Sequence, residues 1–229
     1  MRLKKICFVL IIISNSILAH SQEFGMSFSY FIPKNGYFSN PVAPLSIRDV
    51  GYDFGKYLSL TTGITLYRMA GMSVKGMPLD NSKPLIGPFF APLIPLELDV
   101  HIPVNRIEFL LRGGGFAYYT FANHINYGNF DRAIRASEEL ELVNSHVHFE
   151  NNPGYGYFFG SDMIVKINKH ISVSLKGNYF NGSSPIKLQG TFQGWSSTQG
   201  MVKGIIDYPD SKIDFTGLEI GVGVSYRGR

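Results

Sequence analysis

The stretch from Val50 to Tyr67, VGYDFGKYLSLTTGITLY, decides the fold that the sequence predicts. It contains two alternating segments that are joined by a very short turn at residues 55–57. In the second segment, large aliphatic side chains share one face and small polar residues share the other. The first face holds Leu58, Leu60, Ile64 and Leu66, and the second holds Ser59, Thr61, Gly63 and Thr65. Alternation with a period of two predicts a strand between two different environments. A small polar face, without the Lys and Glu of a water-facing strand, is typical of a narrow transmembrane barrel with lipid outside.

The same alternation recurs along the chain and predicts eight strands. They are residues 24–32, 47–54, 58–67, 90–102, 107–121, 154–167, 171–180 and 217–226. The connections near Lys56, Asn105 and Lys169 are a few residues long, whereas the others are far longer. Outer-membrane barrels alternate short periplasmic turns with long extracellular loops in this way. We therefore predict an all-β fold, an eight-stranded antiparallel up-and-down transmembrane β-barrel, whose interior is filled by side chains because eight strands enclose little space.

Three local features carry further expectations. Pro92 and Pro95 lack the N–H that a strand ladder needs, so the regular part of the fourth strand is expected to begin near Pro95 or to carry a bulge there. The glycine run at residues 113–115 is expected to let the barrel wall bend. Within the polar segment at residues 122–153, the sequence predicts a short helix at residues 130–143.

The first 21 residues predict a secretory signal peptide. Arg2, Lys4 and Lys5 precede an apolar run at residues 6–13, and the pattern Ala-x-Ser ends at Ser21, so cleavage is expected before Gln22. The apolar run is shorter than the ~20 residues that a membrane-spanning helix needs. We therefore expect a signal peptide at residues 1–21, a barrel domain at residues 22–229, and a location in the outer membrane of a Gram-negative bacterium.

The charge and cysteine content argue against a nucleic-acid-binding protein, a soluble domain and a protein with disulfide or thiol chemistry. The formal net charge is +4, and removal of the three cations before residue 6 leaves +1, so basicity gives no reason to expect nucleic-acid binding. Charged residues make up 17% of the chain, against about 25% in soluble domains. Cys7 is the one cysteine of the sequence and lies in the predicted signal peptide, so disulfide and thiol chemistry are not expected.

The polar faces of the predicted strands also carry charged residues, which are expected to point into the lumen. They are Asp53, Glu97, Asp99, Glu108, Arg112, Asp162, Lys166, Lys176 and Glu219. Buried charges persist only when they are paired, so we interpret this set as a lumen charge network of ion pairs and hydrogen bonds. In particular, Arg112 is expected to pair with an acid from a facing strand, with Glu97, Glu219 and Asp162 as the candidates.

Histidines and serines offer two weaker interpretations. His146 and His148 are two residues apart and would share a strand face, and with His124 and Glu150 they form the candidate zinc site. Ser145 with His146, or His170 with Ser172, is the candidate pair for a lipid A esterase or acyltransferase, although neither pair lies in a recognisable motif. We predict no catalytic, cofactor-binding or metal-binding residues and no cofactor.

Three motifs resemble a known family. They are G-x-x-F-G-K-Y-L-S-L-x-x-G at residues 51–63, I-P-L-x-L at residues 94–98, and the glycine-rich fifth strand. In these motifs the chain resembles the outer-membrane β-barrel family of small eight-stranded proteins, the PorT-like group. The resemblance implies assembly by the barrel-assembly machinery, although Tyr226 is followed by Arg227, Gly228 and Arg229, whereas outer-membrane barrels usually end on an aromatic residue.

The leading hypothesis is a non-enzymatic outer-membrane barrel with a filled lumen and long extracellular loops. Its role would lie in envelope integrity, adhesion or secretion assembly, with outer-membrane lipids around it and an envelope protein as a partner of its loops. Two alternatives stay open at this point. One is a lipid A-modifying outer-membrane enzyme, and the other is a soluble periplasmic binder of an apolar ligand, similar to a lipocalin.

Overall fold

The computed structural model describes residues 23–37, 46–79 and 82–227. The predicted signal peptide lies outside these residues. The elements in chain order are β1 (Glu23–Pro33), β2 (Gly36–Tyr37), β3 (Ser46–Asp53), β4 (Leu58–Met69), β5 (Gly71–Met72), β6 (Val74–Lys75), β7 (Phe89–Val104), β8 (Ile107–Tyr118), α1 (Tyr127–Ser137), β9 (Leu142–Phe149), β10 (Gly154–Lys166), β11 (Ile171–Pro185), β12 (Leu188–Ser196), β13 (Gly200–Tyr208), β14 (Lys212–Asp214) and β15 (Gly217–Arg227).

Eight of these strands form a closed antiparallel barrel in the order β1-β3-β4-β7-β8-β10-β11-β15. The first and last strands close it, because Glu23 pairs with Arg227 and Pro33 pairs with Gly217 in one continuous register. The eight-stranded barrel predicted from the alternation is therefore confirmed. The short turns lie at the same end as Glu23 and Arg227, which we call the turn end, and the long connections lie at the loop end.

Parity sorts the side chains of the barrel into an inner and an outer set. Ser59, Thr61 and Thr65 of β4 are buried inside, whereas Leu60 and Ile64 are exposed on the outer surface. Across β4, β7, β8, β10, β11 and β15, the outward positions between the rims carry apolar side chains, glycine, serine, threonine or proline, apart from Asn181 near the loop end of β11. The outer surface of these six strands is therefore an apolar band.

The two prolines of β7 do not shorten that strand, so the sequence expectation for this segment was wrong. The strand starts at Phe89, and its pairing with β8 keeps one register from Leu93 to Val104. The ladder with β4 continues on both sides of Pro95, and the Thr62 hydroxyl donates a hydrogen bond to the Pro95 carbonyl, 2.6 Å away. A side-chain hydrogen bond thus supports the position where proline supplies no N–H.

The register shift of this part of the wall lies instead between β3 and β4, at Ile47 to Val50. At the glycine run of β8, a Cβ on Gly114 would lie 1.9 Å from the carbonyl oxygen of Leu96, whereas one on Gly113 would lie 3.6 Å from its nearest neighbour. Gly114 therefore lets the backbones of β7 and β8 approach closely, which no other residue type permits.

The loop end carries a second folded layer, which the sequence did not predict as such. Strands β13, β12 and β9 form a three-stranded antiparallel sheet, and α1 packs against it. The predicted helix at residues 130–143 was misplaced, because the Asn126 side chain accepts a hydrogen bond from the Asn129 N–H and starts the helix earlier. Glu139 has a φ of 53°, which ends the helical segment, and the following residues form β9.

Inner faces of this layer join the core of the barrel. Buried side chains of α1, including Phe130 and Ile134, belong to the same apolar cluster as Val147, Phe192 and Ile206 of the sheet. Among the residues that the structure describes, no helix has the length and apolar character needed to cross a membrane.

Candidate functional site

The charged residues of the lumen lie in layers along the barrel axis. In the layer nearest the turn end, Nδ1 of His101 lies 2.7 Å from Oε1 of Glu108, and the Lys166 ammonium lies 2.6 Å from Oε2 of the same carboxylate. Nε2 of His101 is hydrogen-bonded to the Ser59 hydroxyl at 2.8 Å. Three strands, β4, β7 and β8, and the end of β10 are thus tied together at this mouth of the barrel.

The central layer is organised around the guanidinium of Arg112 on β8. Its Nη1 donates to Oε2 of Glu97 at 3.0 Å, and its Nη2 donates to Oδ2 of Asp162 at 2.9 Å. Nε lies 4.0 Å from Oδ1 of Asp99. The Arg112 side chain is 1% exposed and its acidic partners are equally buried. One cation therefore joins β7, β8 and β10 through charge-assisted hydrogen bonds in a site without bulk water.

Two further contacts complete this layer. The Lys176 ammonium of β11 lies 3.7 Å from Oδ2 of Asp162, and the Thr61 hydroxyl of β4 donates to Oδ2 of Asp99 at 2.6 Å. Three acids thus face two cations within a few ångströms. Because a buried charge without compensation is costly, each member of the layer depends on the others.

The layer toward the loop end contains the buried carboxylate of Glu219. Glu219 of β15 accepts a hydrogen bond from the Tyr67 hydroxyl at 2.6 Å and one from the Asn178 amide at 2.6 Å. These three residues come from β4, β15 and β11, so the contact spans the barrel. Tyr67 also marks the point at which the lumen changes from polar to aromatic.

A cluster of buried aromatic rings fills the lumen above Glu219. Its members are Phe31, Tyr67, Phe116, Tyr118, Phe158, Phe180 and Phe215. Ring centroids are 4.8 Å apart for Phe31 and Phe215, 4.6 Å for Tyr118 and Phe215, and 5.1 Å for Phe158 and Phe180. These separations are those of favourable aromatic pairs. We call this group the aromatic layer; it separates the charged lumen from the loop end.

Polar contacts also stabilise the loop end. Oε1 of Glu141 accepts hydrogen bonds from the Ser197 N–H at 2.9 Å and from the Ser197 hydroxyl at 2.5 Å. These bonds lower the pKa of the Glu141 carboxyl below its ordinary value. In the barrel sheet, the buried Asp214 of β14 forms an ion pair of 2.8 Å with Lys75 of β6. The Glu141 contacts thus fix the tip of the loop-end sheet, and the Lys75–Asp214 pair joins two short strands of the barrel sheet beside it.

Comparison with known proteins gave matches in structure but not in sequence. No protein-family model matches the chain, and no curated protein sequence matches it either. The outer membrane protein OprG from Pseudomonas aeruginosa is similar over 90% of this chain and 94% of that chain, at 10% sequence identity and a TM-score of 0.46. A major outer membrane protein from Thermus thermophilus is similar over 91% of this chain and 100% of that chain, at 10% identity and a TM-score of 0.44. Both are outer-membrane proteins.

The structure brings eight of the nine residues of the predicted lumen charge network inside the barrel, in the three layers above. Asp53 is the exception and is a correction, because its residue is exposed at the turn end. Within the described residues, β1 pairs with β3 only at Gly25–Arg48 and Met26–Ile47. The lower part of β3, including Asp53, extends beyond that pairing, so its inward parity does not bury it.

The alternative catalytic pairs are not assembled. The Ser145 hydroxyl donates to Oδ1 of Asp131 at 2.5 Å and is buried, whereas His146 is exposed on the opposite face of β9. His170 stacks on the ring of Tyr226, with centroids 5.9 Å apart, at the outer rim. Ser172 is buried and has inward parity on β11. Alternation therefore separates Ser145 from His146, whereas His170 lies in the turn before β11 and outside the strand that carries Ser172.

The zinc interpretation finds no support in the described part of the chain, where no group of three or more His, Cys, Asp or Glu side chains lies close enough to hold a metal ion. His146 and His148 share the exposed face of β9, as their spacing predicts. His148 lines an open cleft of 420 Å³ at the loop end, together with Asn123, Ile125, Tyr127, Val147, Phe149 and Asn151.

Sequence reasoning missed the aromatic layer and the Tyr67 contact. Phe31, Phe116, Phe158 and Phe180 occupy the inward parity of their strands near the loop end, next to outward rows that also contain aromatic residues. Large rings on both parities of a strand end were the available signal, since such a strand end places apolar side chains in the lumen as well as on the outer surface.

Proposed function

We propose that this chain is a non-enzymatic integral outer-membrane barrel that holds a folded sheet on the outside of the cell. The observation that carries the proposal is the outer surface, where exposed aromatic side chains lie near both rims of an apolar band. At the turn end they are Tyr52, Phe54, Tyr57 and Tyr226, and at the loop end they are Tyr119, Phe121, Tyr155, Tyr157 and Phe159. Two aromatic girdles around an apolar band are typical of outer-membrane barrels.

The strand lengths fit the same location. β15 contains 11 residues and β8 contains 12, and a tilted strand needs about 9–11 residues to cross a bilayer. With the short turns in the periplasm and the long connections outside, the loop-end sheet faces the surroundings of the cell. This orientation follows the usual arrangement of such barrels.

The lumen supports a barrel that anchors and presents its loops rather than one that conducts solutes. The central layer around Arg112 and the aromatic layer lie one above the other in the lumen. An eight-stranded lumen is narrow enough for side chains to fill. Envelope integrity, adhesion or secretion assembly are the roles that suit such a protein. The PorT-like resemblance and the partners that it implies, barrel-assembly machinery and an envelope protein, belong to this proposal.

The other two interpretations have less support. A lipid A-modifying enzyme needs a nucleophile and a base in contact, and Ser145 and His146 face away from each other. A lipocalin-like protein in solution would place polar side chains outside and apolar ones inside. Here the ion pairs of Arg112 lie inside, and residues such as Leu98 and Ile220 are exposed outside.

Membrane extraction and gel mobility together test the proposal. Envelopes containing the full-length chain are washed with alkaline carbonate, extracted with detergent, and run on a gel with and without heating. We expect retention after the carbonate wash and a heat-dependent mobility shift. Purified protein added to a planar bilayer should give no large steady conductance. Release by carbonate would contradict the membrane location, whereas a large conductance would contradict only the filled lumen.

A further inference from the structure

Strand β13 is one of the two edge strands of the loop-end sheet. Strand β13 pairs with β12 along its full length, from Gly200 to Tyr208. On its other side, β13 has no strand partner among residues 23–37, 46–79 and 82–227. An edge of this length presents a row of backbone N–H and C=O groups to any strand that can pair with it.

Side chains on the exposed face of this edge strand are arranged symmetrically. Ile205 lies at the centre and is 83% exposed, the highest value among the large hydrophobic side chains of the described residues. Lys203 and Asp207 lie two residues before and after it on the same face, and both are exposed. The Gln189 amide of β12 donates to Oδ1 of Asp207 at 3.2 Å, which holds that carboxylate on this face.

We propose that this edge pairs with a second copy of the chain, antiparallel and centred on Ile205. A two-fold axis perpendicular to the sheet brings Ile205 opposite its own copy, Lys203 opposite Asp207 of the second copy, and Asp207 opposite the second Lys203. The interface is isologous, as is usual for two-fold dimers. Opposite charges that face each other directly across paired strands stabilise the pairing, and like charges destabilise it.

Charge complementarity selects this register over its neighbours. A two-fold axis perpendicular to the sheet keeps the exposed faces of the two edge strands on the same side. The possible registers therefore differ only in which residue lies opposite its own copy. Centring on Gly204 would place Lys203 opposite Ile205, and centring on Ile206 would place Ile205 opposite Asp207. Only the pairing centred on Ile205 neutralises both charges.

The opposite face of β13 fits the same register. There Gly204 comes opposite Ile206 of the second copy and Val202 comes opposite Tyr208. Ile206 is buried, and Val202 and Tyr208 are partly buried against the apolar cluster. Pairing would therefore continue the apolar side of the sheet from one copy into the other, as sheets that pack on a core require.

The expected association is weak. One pair of strands, nine residues in each copy, buries less than the ~1,200–2,000 Å² of stable interfaces. The edge strands of the two copies run antiparallel to each other. Detergent micelles, unlike a bilayer, do not hold the two barrels in one plane. The association is therefore measured in detergent.

Single-cysteine cross-linking tests the register. In a Cys7→Ser background, which has no other cysteine, Ile205→Cys or Met201→Cys is introduced, and concentrated protein in detergent is treated with a short bis-maleimide. At a rise of about 3.4 Å per residue, the two positions 205 would be neighbours, whereas the two positions 201 would lie about 27 Å apart. Met201 is a matched control because it is also highly exposed, at 68%.

We expect Ile205→Cys to give a cross-linked dimer whose yield rises with protein concentration, and Met201→Cys to give none above background. In the Ile205→Cys protein, Lys203→Asp or Asp207→Lys should each lower the yield severalfold, and the double exchange should restore it. Equal cross-linking at positions 205 and 201, absence of the dimer at the highest concentration, or failure of the double exchange to restore it would overturn the proposal.

Discussion

Replacement of Arg112 by alanine is the sharpest test of the lumen. The guanidinium lies 3.0 Å from Glu97 and 2.9 Å from Asp162, and these side chains are almost completely buried. In Arg112→Ala, three acids of the central layer would face Lys176 alone. Removing one partner of a buried ion pair costs about 3–5 kcal/mol, because the other charge stays buried without compensation. We expect the free energy of unfolding to fall by about that amount.

Urea titration of the barrel in lipid vesicles, read by the heat-dependent gel shift, measures this change. Arg135→Ala is the matched control, since Arg135 is an exposed cation of α1, and exposed substitutions change stability by about 0.5 kcal/mol or less. If Arg112→Ala does not fold at all, Arg112→Ala combined with Glu97→Gln removes one of the acids and should recover part of the loss. A loss below about 1 kcal/mol relative to Arg135→Ala would refute the assignment of Arg112 as the centre of a buried network.

Other regions of the barrel give further tests by the same titration. Val222→Arg should destabilise the barrel by about 2–4 kcal/mol if its position lies near the middle of the bilayer, whereas Met201→Arg on the loop-end sheet should have little effect; equal effects would contradict the lipid-facing band. Gly114→Ala should cost about 1–3 kcal/mol or more because its Cβ would collide with a carbonyl oxygen of β7, and Gly113→Ala should be tolerated; the reverse order would contradict the packing of β8. Tyr67→Phe should cost about 1–3 kcal/mol, because it removes a hydrogen bond to a buried carboxylate; an unchanged midpoint would argue against that contact.

The fold could be predicted because the residue types on the two faces of each barrel strand reflect the surroundings of those faces. Alternation in a segment such as residues 58–67 depends only on which face meets the lumen, so no distant residue has to be known. The inward position of Arg112 follows from parity in the same way. Parity also limits its candidate partners to inward acids such as Glu97, Asp162 and Glu219. The choice of Glu97 and Asp162 depends on the stagger of three strands, which the sequence of each strand does not contain.

The loop-end layer could not be predicted for a related reason. β9, β12 and β13 carry polar or small residues on both parities, because one of their faces meets water and the other packs on a small core. Gly190 and Gly194 weaken the strand pattern of β12 further. Asp53 shows the opposite failure: its parity predicts the lumen, but the residue is exposed at the turn end.

The bond between Tyr67 and Glu219 joins residues 152 positions apart in sequence, on strands that have β3 and β1 between them in the wall. It can form only after β15 has arrived, and β15 is also the strand that pairs with β1. Until then, β1 and β11 are the open edges of the wall, and the Glu219 carboxylate that accepts the Tyr67 hydrogen bond is not in place. Closure of the wall and completion of the interior are therefore one cooperative event, so a chain cut short before β15 would lack both.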